Sequence, residues 1–324
     1  MCLISVIIVN WNGINLLRDC LDAVLSQDFS DFEVILVDNG SSDGSPELVQ
    51  KNYPTVCLLR LEENRGFTGG NLAGLDQARG SFIALLNNDT RPEKRWLGAL
   101  YRGMVNDNKI GISASKIIID GTDMIDSVGD IFTTAFTGTK LGSLSCHRDF
   151  STRMFVHGAC AAAALYRREM MDEIGFLDDD FFFNHEDTDF NLRAWLSGWK
   201  CIYVPEAVVY HKVSASLGTL NDNSVYYFSR NNVWVWIKNV PSGCMFRYLH
   251  QRLIYELSSF AFFCFMKGKW VPYLRGKFDS MKKIPIMLNK RKAIQKNVKL
   301  SNYEIAAGLM PIAKYLKQRL KNIE

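Results

Sequence analysis

The amino-acid sequence predicts an α/β protein whose first half forms a parallel, doubly wound sheet. Short β-branched runs alternate there with segments whose apolar residues recur at helical spacing, which is the pattern of consecutive β-α-β units. Turn residues such as Gly, Asn and Ser follow several of these runs. The 324 residues are 48% hydrophobic and 22% charged, so the chain can bury a full core.

The elements of the first half follow from these runs. Between the first two strands, Leu17, Leu21 and Val24 lie on one face of a predicted helix. Ser45-Pro46-Glu47 predicts the start of another helix, because Ser is a favoured N-cap and Pro and Glu favour the first turn. The strands predicted here are Ile4–Val9, Glu33–Asp38, Val56–Leu61 and Phe82–Leu86, with two further helices over 67–78 and 92–105.

The middle of the chain changes character. A Gly-, Thr- and Ser-rich stretch over Thr133–Ser145 predicts an excursion or mobile loop. Regular elements are predicted on both sides of it: strands Ile110–Ile119 and Ala159–Tyr166, a helix Glu186–Leu196, and short strands Lys200–Val204 and Val208–His211. From about residue 241 we expect a helical appendage that includes a helix over Tyr303–Leu320.

Charge, cysteines and hydropathy exclude several protein classes. The net charge is only +4, but Lys and Arg far outnumber Asp and Glu from Met245 onward, which predicts a basic tail that meets an anionic surface. The eight cysteines form no C-x-x-C pair, so we expect reduced thiols in a cytosolic protein and no zinc site. The apolar runs Leu3–Val9 and Leu257–Met266 are too short for a signal peptide or a membrane-spanning helix.

Polar loops follow three successive strands. Residues 10–13, 38–45 and 63–71 are rich in Gly and Asn, which allow the backbone to approach a ligand, while the amides of the following helix favour phosphate. Any one of these loops could be an ordinary turn, but three together predict a nucleotide crevice. Acidic residues recur at similar places, at Asp38, at Asn87-Asn88-Asp89 and at Glu186-Asp187-Thr188-Asp189.

These motifs together closely resemble the family 2 inverting glycosyltransferases of the GT-A fold, in particular the bacterial rhamnosyltransferase-like branch. The resemblance covers about Leu3 to Ser216. It implies a Rossmann-like, mixed sheet flanked by helices, followed by a C-terminal helical appendage. We therefore expect a catalytic domain over 1–240, with a nucleotide half over about 1–110 and an acceptor half over about 111–240, and a tail over 241–324.

The resemblance also implies the donor site. Asp38 would accept a hydrogen bond from the pyrimidine N–H, and Arg65 would lie against the base or ribose. The alternative for Asp38 is a cap at the end of its strand. Arg230 suits a phosphate contact, or is a solvated arginine on an aromatic helix. The complete set implied for the donor nucleotide is Asn10, Asp38, Arg65, Asn87, Asn88 and Arg230.

A divalent cation, Mg²⁺ or Mn²⁺, is implied beside the diphosphate. Asn87-Asn88-Asp89 stands where the family has its D-x-D element, but its first position is Asn, so only Asp89 brings a full negative charge. His211 matches a histidine that some relatives use as a further ligand, and imidazole suits Mn²⁺ better than Mg²⁺. The alternatives are a turn-capping cluster for residues 87–89 and a hydrogen-bonded core histidine.

The catalytic pair implied by the resemblance is Glu186 and Asp187. Asp187 would be the base that deprotonates the acceptor hydroxyl. Asp189 and His157 would contact the acceptor. The alternative is that the acids stabilise a helix N-terminus through the helix dipole. Arg193 stands four residues after Asp189, so we expect a structural ion pair between them.

The resemblance implies dTDP-rhamnose as the donor and a glycan or lipid-linked acceptor of surface polysaccharide synthesis. The alternatives are a UDP-sugar carrying galactose, glucose, N-acetylhexosamine or galactofuranose, and a non-catalytic nucleotide-sugar binding subunit. Nucleic-acid binding lacks a recognisable module. We expect the tail to lie on the inner face of the cytoplasmic membrane, or to form a homodimer. The apolar and basic residues that carry this expectation are Phe260, Phe262, Phe263, Phe265, Met266, Trp270 and Tyr273 with Lys267, Lys269, Arg275 and Lys277.

Overall fold

The structure is a computed structural model that describes residues 2–213 and 220–321. The chain divides into two compact units that alternate along the sequence. The first unit comprises Met1–Asp130, Lys140–Phe183 and Trp199–Ser216. The second comprises Ile131–Thr139, Asn184–Gly198 and Leu217–Glu324. The two units are defined by how the chain packs and not by function. The functional boundary expected near residue 240 therefore stays a prediction.

The first unit is built on a ten-stranded mixed sheet, and a separate two-stranded hairpin, β8 with β9, leads into and out of Ile131–Thr139. The strands, in chain order, are β1 (Ile4–Asn10), β2 (Phe32–Asn39), β3 (Cys57–Leu61), β4 (Phe82–Leu86), β5 (Thr90–Pro92), β6 (Ile110–Ile119), β7 (Ile125–Ser127), β8 (Asp130–Phe132), β9 (Gly138–Lys140), β10 (Met154–Val156), β11 (Ala163–Arg167) and β12 (Lys200–His211).

The spatial order of the main strands is β10-β12-β6-β11-β4-β1-β2-β3. Strands β4, β1, β2 and β3 are parallel to one another, as the alternating pattern predicts. β11 enters between β4 and β6 and is antiparallel to both, whereas β12 is parallel to β6. β5 pairs antiparallel with β12, and β7 pairs antiparallel with β6. The sheet is therefore mixed, and the predicted fold class is confirmed.

Helices flank the sheet and fill the second unit. Those of the first unit are α1 (Ile14–Leu25), α2 (Ser45–Asn52), α3 (Gly66–Gln77), α4 (Trp96–Met104) and α5 (Arg168–Ile174). Those of the second unit are α6 (Glu186–Leu196), α7 (Asp222–Asn239), α8 (Ser242–Phe260), which continues into a π-helical turn (Ala261–Met266), α9 (Trp270–Lys282), α10 (Ile284–Ile294), α11 (Asn302–Gly308) and α12 (Ile312–Lys321). The predicted C-terminal helices are thus present.

The core of the first unit fixes the carboxyl ends of its parallel strands. Leu17, Leu21 and Val24 of α1 are fully buried in one cluster with Val6 and Ile8 of β1. This packing follows from the helical spacing of the apolar residues of α1. Because adjacent parallel strands end at the same edge of a sheet, the polar residues after β1, β2 and β4 are brought together there.

Several elements differ from the sequence-based predictions. The stretch Thr133–Ser145, predicted as an excursion or a mobile loop, includes an excursion, because Ile131–Thr139 belongs to the second unit. Phe136 is fully buried there and its ring meets those of Trp236 and Tyr248 edge-on, so the mobile-loop alternative is wrong. The helix predicted from residue 92 begins at Trp96, since Thr90–Pro92 pairs with β12 as a strand. The two short strands predicted over 200–211 are one strand, irregular between Val204 and Val208. The helix predicted over 303–320 is two helices, α11 and α12.

Apart from the residues of the hairpin, the regular elements described for the second unit are helices. Tyr255, Ile312 and Tyr315 form a small buried cluster with Ala135. Val225, Phe263, Cys264 and Tyr273 form another. Among the residues that the structure describes, no helix combines the length and the apolar character needed to span a bilayer.

Candidate functional site

A chain of buried side chains joins the ends of three strands in the first unit. Asn10 ends β1 and lies opposite Asp38 in the register of β1 with β2. The Asn10 Nδ2 group donates to Asp38 Oδ1 over 3.3 Å, and Asn88 Nδ2 donates to Asn10 Oδ1 over 2.8 Å. All three residues are buried. The residues after β1, β2 and β4 therefore form one hydrogen-bonded group.

The hydrogen bond between Asn10 and Asn88 forms only because the backbone at Gly13 comes close to both side chains. A Cβ atom at Gly13 would lie 2.4 Å from Asn88 Nδ2 and 2.5 Å from Asn10 Oδ1, so only glycine leaves room for their hydrogen bond. The second oxygen of Asp38 accepts from the backbone N–H of Ser41 over 3.0 Å. Asp38 thus caps its own turn, as the alternative interpretation expects, while it stays aligned with Asn10.

The start of α3 is held by a second polar group. The Asn39 side chain accepts from the Arg65 backbone N–H over 2.9 Å and donates to the Gly66 carbonyl over 2.9 Å. Gly66 has a φ of 71°, and a Cβ there would lie 2.3 Å from the Phe182 carbonyl oxygen. The Arg65 side chain is exposed at this helix N-terminus, where backbone amides and the helix dipole favour anions.

A buried charged cluster surrounds His211 at the end of β12. His211 Nδ1 lies 2.9 Å from Asp126 Oδ2, and Nε2 lies 3.3 Å from Asp89 Oδ1. Lys140 Nζ lies 2.6 Å from the other oxygen of Asp126. Burial disfavours the charged ring, but the two carboxylates outweigh burial and raise the pKa of His211 to about 9. Burial likewise opposes ionisation of Asp126, yet its contacts with His211 and Lys140 lower its pKa to about 2.

Two side chains of this cluster fit a divalent cation. Asp89 is 7% exposed, and its Oδ1 atom has no hydrogen-bond partner among the described residues. A buried carboxylate oxygen without a donor is costly, and a cation would satisfy it. His211 adds an imidazole, which suits Mn²⁺. No group of three or more His, Cys, Asp and Glu side chains is arranged as a metal site within the described ranges, so diphosphate oxygens would have to complete the coordination.

The acidic motif of the second unit opens α6 through a strained backbone. Asn184 and His185 have φ values of 73° and 68°, in the left-handed region that residues other than glycine rarely adopt. His185 is buried, and burial followed by the nearby Arg252 lowers its pKa to about 3, so the ring is neutral. Strained positions of this kind cluster at functional sites.

The two carboxyl groups that follow differ in environment. Glu186 is 7% exposed, and its Oε2 atom has no hydrogen-bond partner in the described part of the chain. Burial first, and the charge of Asp187 second, raise the pKa of Glu186 to about 8. Asp187 is half-buried, and its Oδ1 accepts from the Thr188 backbone N–H over 2.6 Å. Glu186 is therefore neutral at pH 7, which is the division of roles that paired carboxyl groups show in many active sites.

Asp189 is engaged in a different way. It is fully buried, and its oxygens meet Arg193 Nε at 3.0 Å and Lys238 Nζ at 2.8 Å. Asn239 Nδ2 donates to it as well, over 2.8 Å. The predicted pairing of Asp189 with Arg193 is confirmed. These contacts tie α6 to α7 and leave the Asp189 carboxylate occupied by protein partners.

The model of glycosyl transferase family 2 matches residues 5–175, which is more than half of the chain. The chain belongs to glycosyl transferase family 2. Among its relatives, an uncharacterised glycosyltransferase of Nostoc sp. is 26% identical over 232 residues, which are 69% of this chain and 64% of that protein. Glycosyltransferase AglE of Haloferax volcanii is 35% identical over 99 residues, 29% of this chain and 33% of that one. The chain thus spans less than two thirds of the length of each of these two relatives.

A relative of named specificity is the N-acetylglucosaminyl-diphospho-decaprenol L-rhamnosyltransferase of Mycobacterium tuberculosis, 29% identical over 221 residues, 57% of this chain and 68% of that protein. Solved structures share the fold. S. aureus TarS 1-349 in complex with UDP-GlcNAc has a TM-score of 0.57 at 19% identity, covering 91% of this chain and 89% of that one. GalNAc-T7 with UDP, GalNAc and Mn²⁺ has a TM-score of 0.62 at 17% identity, and the match covers 95% of this chain and 58% of that one. The predicted family and GT-A fold are confirmed.

Three further residues predicted for the site are Asn87, His157 and Arg230. Asn87 is half-buried and directly follows β4, next in sequence to Asn88 of the hydrogen-bonded group. His157 is half-buried in the first unit, and burial lowers its pKa to about 4, so its ring is neutral. The Arg230 guanidinium of α7 lies 4.3 Å from the ring centre of Trp234 and 4.7 Å from that of Tyr227. This stacking favours the structural alternative for Arg230.

Three charged residues of these clusters were missed in the sequence. Asp126 lies in β7, Lys140 ends β9, and Lys238 lies near the end of α7. Each meets its partner only through tertiary packing, because the sequence separations are long. An isolated Asp in a short strand, or a Lys in a basic region, gives no local signal.

Proposed function

We propose that this glycosyltransferase transfers a sugar, with inversion, from a pyrimidine nucleoside diphosphate donor. The observation that carries the proposal is the hydrogen-bonded group of Asp38, Asn10 and Asn88 at the sheet edge. Rhamnose from dTDP-rhamnose is the donor we favour, supported by the rhamnosyltransferase relative. The UDP-bound TarS and GalNAc-T7 structures support the UDP-sugar alternative.

Donor recognition rests on a buried acceptor. The Asp38 carboxylate is 2% exposed and held in place by Asn10 and the Ser41 amide. A fixed carboxylate of this kind suits the N–H of a pyrimidine ring, and a base that lacks this donor would lose that hydrogen bond and bury the remaining lone pairs of the carboxylate, at a cost of about 1–3 kcal/mol. Arg65 would lie against the base or ribose. Asn87 would contact the ribose or bind through water.

In the proposed reaction, Asp187 takes the proton of the acceptor hydroxyl. The hydroxyl oxygen forms a bond to the anomeric carbon on the face opposite the diphosphate, and the bond from that carbon to the phosphate oxygen breaks. The electron pair of the broken bond leaves with the nucleoside diphosphate. Glu186, neutral at pH 7, can donate a hydrogen bond to an acceptor oxygen, and His157 is proposed on the acceptor side. The ion pairs of Asp189 support a structural role for it.

Asp89 and His211 would hold Mg²⁺ or Mn²⁺. Such a cation supplies charge neutralisation for the departing diphosphate. The Asp89 oxygen that accepts no hydrogen bond within the described residues, and the imidazole nitrogen 3.3 Å from it, support this assignment.

The first test measures binding and transfer together. Calorimetry with dTDP, UDP and GDP, each with and without Mn²⁺, is followed by transfer assays with dTDP-rhamnose and UDP-sugars. We expect metal-dependent binding of dTDP, transfer by the native chain, and a loss of roughly 10²–10⁴-fold in Asp187→Asn with donor binding retained. Asp222→Asn, which removes an exposed carboxylate, is the matched control. Binding without turnover for every donor would favour the non-catalytic subunit.

We further propose that the tail, over 241–324, places the enzyme on the inner face of the cytoplasmic membrane, where a lipid-linked acceptor would lie. Phe246, Leu249, Leu253 and Leu257 recur every three or four residues of α8, so they share one face. That face is exposed, with Phe246 at 81% and Leu257 at 69%. An apolar helix face turned to solvent marks an interaction surface.

The outward face of α9 has the same character. Val271, Leu274 and Phe278 are exposed along it, and Arg275 and Lys282 flank them. Apolar residues beside basic ones suit an interface with anionic lipids, to which each basic residue contributes about 1 kcal/mol. Among the tail residues named from the sequence, Phe263 and Tyr273 are buried and belong to the core of the second unit.

Vesicle sedimentation tests this surface. We expect the native chain to bind vesicles that contain phosphatidylglycerol, and a Phe246→Glu/Leu257→Glu variant to lose binding. Phe155→Glu, at a 61% exposed position of the first unit, should bind like the native chain. Vesicle binding retained by the double variant, together with loss of a native dimer in light scattering, would favour the homodimer instead.

A further inference from the structure

We propose that Asp126, itself held by Lys140, is a positioning residue that orients His211 toward the cation site. The inference rests on the proposed function of Asp89 and His211 as cation ligands. It concerns residues that do not touch the donor, the acceptor or the cation. Each of these side chains belongs to the first unit.

The strands bring the cluster together at one end of β6. β12 runs parallel to β6, with His211 opposite Ile119, and the Asp120 backbone N–H donates to the His211 carbonyl over 3.0 Å. β7 returns antiparallel along the same end of β6 and carries Asp126. His211 and Asp126 are 7% and 6% exposed, so their contact is shielded from water.

The geometry assigns a different partner to each ring nitrogen of His211. Asp126 Oδ2 lies 2.9 Å from Nδ1, so it accepts the hydrogen that Nδ1 carries. A cation bound at Nε2 would replace the proton that the ring carries there, and because Asp126 holds the hydrogen on Nδ1, the lone pair that the ring offers is the one on Nε2. Nε2 lies 3.3 Å from Asp89 Oδ1, the oxygen that lacks a hydrogen-bond partner among the described residues. Asp126 therefore selects the tautomer that presents a ligand atom beside Asp89.

Lys140 explains why Asp126 positions the ring and does not itself bind the cation. Its Nζ atom lies 2.6 Å from Asp126 Oδ1, while Oδ2 meets the ring, so both oxygens of Asp126 are occupied. The Lys140 charge also balances that of Asp126. The cation site then keeps the single negative charge of Asp89, without a second unpaired carboxylate beside it.

The test measures Mn²⁺ affinity by electron paramagnetic resonance, in the full chain with dTDP present. We expect Asp126→Ala to weaken Mn²⁺ binding by about 10–100-fold, which is the usual effect of removing such a partner. Lys140→Met should cause a smaller loss in the same direction, and its 40% exposed side chain makes misfolding a minor concern. Asp123→Asn, a 73% exposed neighbour in sequence, is the matched control and should bind like the native chain.

A spectroscopic signature separates positioning from general loss of structure. In protein labelled with ¹⁵N-histidine, electron spin echo envelope modulation should detect nitrogen coupled to Mn²⁺ in the native chain. The coupling should be absent in His211→Ala and reduced in Asp126→Ala at saturating Mn²⁺. If native chain and His211→Ala bind Mn²⁺ equally and without coupled nitrogen, the cation site itself is refuted. If His211→Ala alone weakens binding and Asp126→Ala keeps native affinity and coupling, only the role of Asp126 is refuted.

Discussion

Replacement of Glu186 by Gln should change how the stability of the protein depends on pH. The native environment raises the pKa of Glu186 from 4.5 to about 8, by burial and by the charge of Asp187. Between these two pH values the folded chain holds a proton that the unfolded chain has released, so stability falls as pH rises. Since one pKa unit corresponds to 1.36 kcal/mol, the loss by pH 8.5 is on the order of 4 kcal/mol. Glutamine mimics the neutral form and escapes this loss.

The assay is urea unfolding followed by circular dichroism at several pH values between 5 and 8.5. Glu186→Gln and the native chain should differ little at pH 5, and the variant should be the more stable by a few kcal/mol at pH 8.5. Glu62→Gln, at an exposed position, controls for the removal of any carboxylate. A stability difference between Glu186→Gln and the native chain that stays constant with pH would refute a neutral, buried Glu186.

Two further substitutions test the packing that holds the site. Gly66→Ala should lower the melting temperature far more than Gly121→Ala, because both have positive φ but only at Gly66 would a Cβ meet a backbone oxygen, at 2.3 Å, whereas Gly121 has nothing within 4 Å. Lys238→Met should cost about 3–5 kcal/mol in urea unfolding, because it leaves the buried Asp189 carboxylate short of a partner. Lys200→Met, at a surface pair, should cost less than about 1 kcal/mol.

The parallel half of the sheet could be predicted from the sequence because its signals are local. Strands β1 to β4 match the β-branched runs to within a residue or two at each end, and α6 matches its predicted bounds. Strand direction is not a local signal. The antiparallel entry of β11 depends on pairing with β4 and β6, and residues 133–145 read as a loop because burial of Phe136 depends on distant aromatic rings.

The residues of the candidate site likewise divide into those that local sequence signals predict and those that depend on tertiary packing. Asn10, Asp38 and Asn88 lie at or just beyond the carboxyl ends of their strands, so their meeting at one edge could be expected from the order of the strands. Asp126 could not be found, since it meets His211 only when β7 and β12 both pair with β6, and Lys140 could not be found because it contacts Asp126 only through tertiary packing. A short polar segment in the sequence does not show which strand it will join.

Several features that lower folding stability favour an enzyme over a non-catalytic subunit. The Asn at the first position of the D-x-D element is the one hint of inactivity. Against it, Asp89 Oδ1 and Glu186 Oε2 are buried polar atoms that lack a hydrogen-bond partner within the described residues, and each lowers folding stability by about 1–3 kcal/mol. Asn184 and His185 add backbone strain at the base of the acidic helix. Tight packing could have removed all of these costs, so their presence together is best explained by chemistry that needs a cation ligand and a buried, protonated carboxyl group.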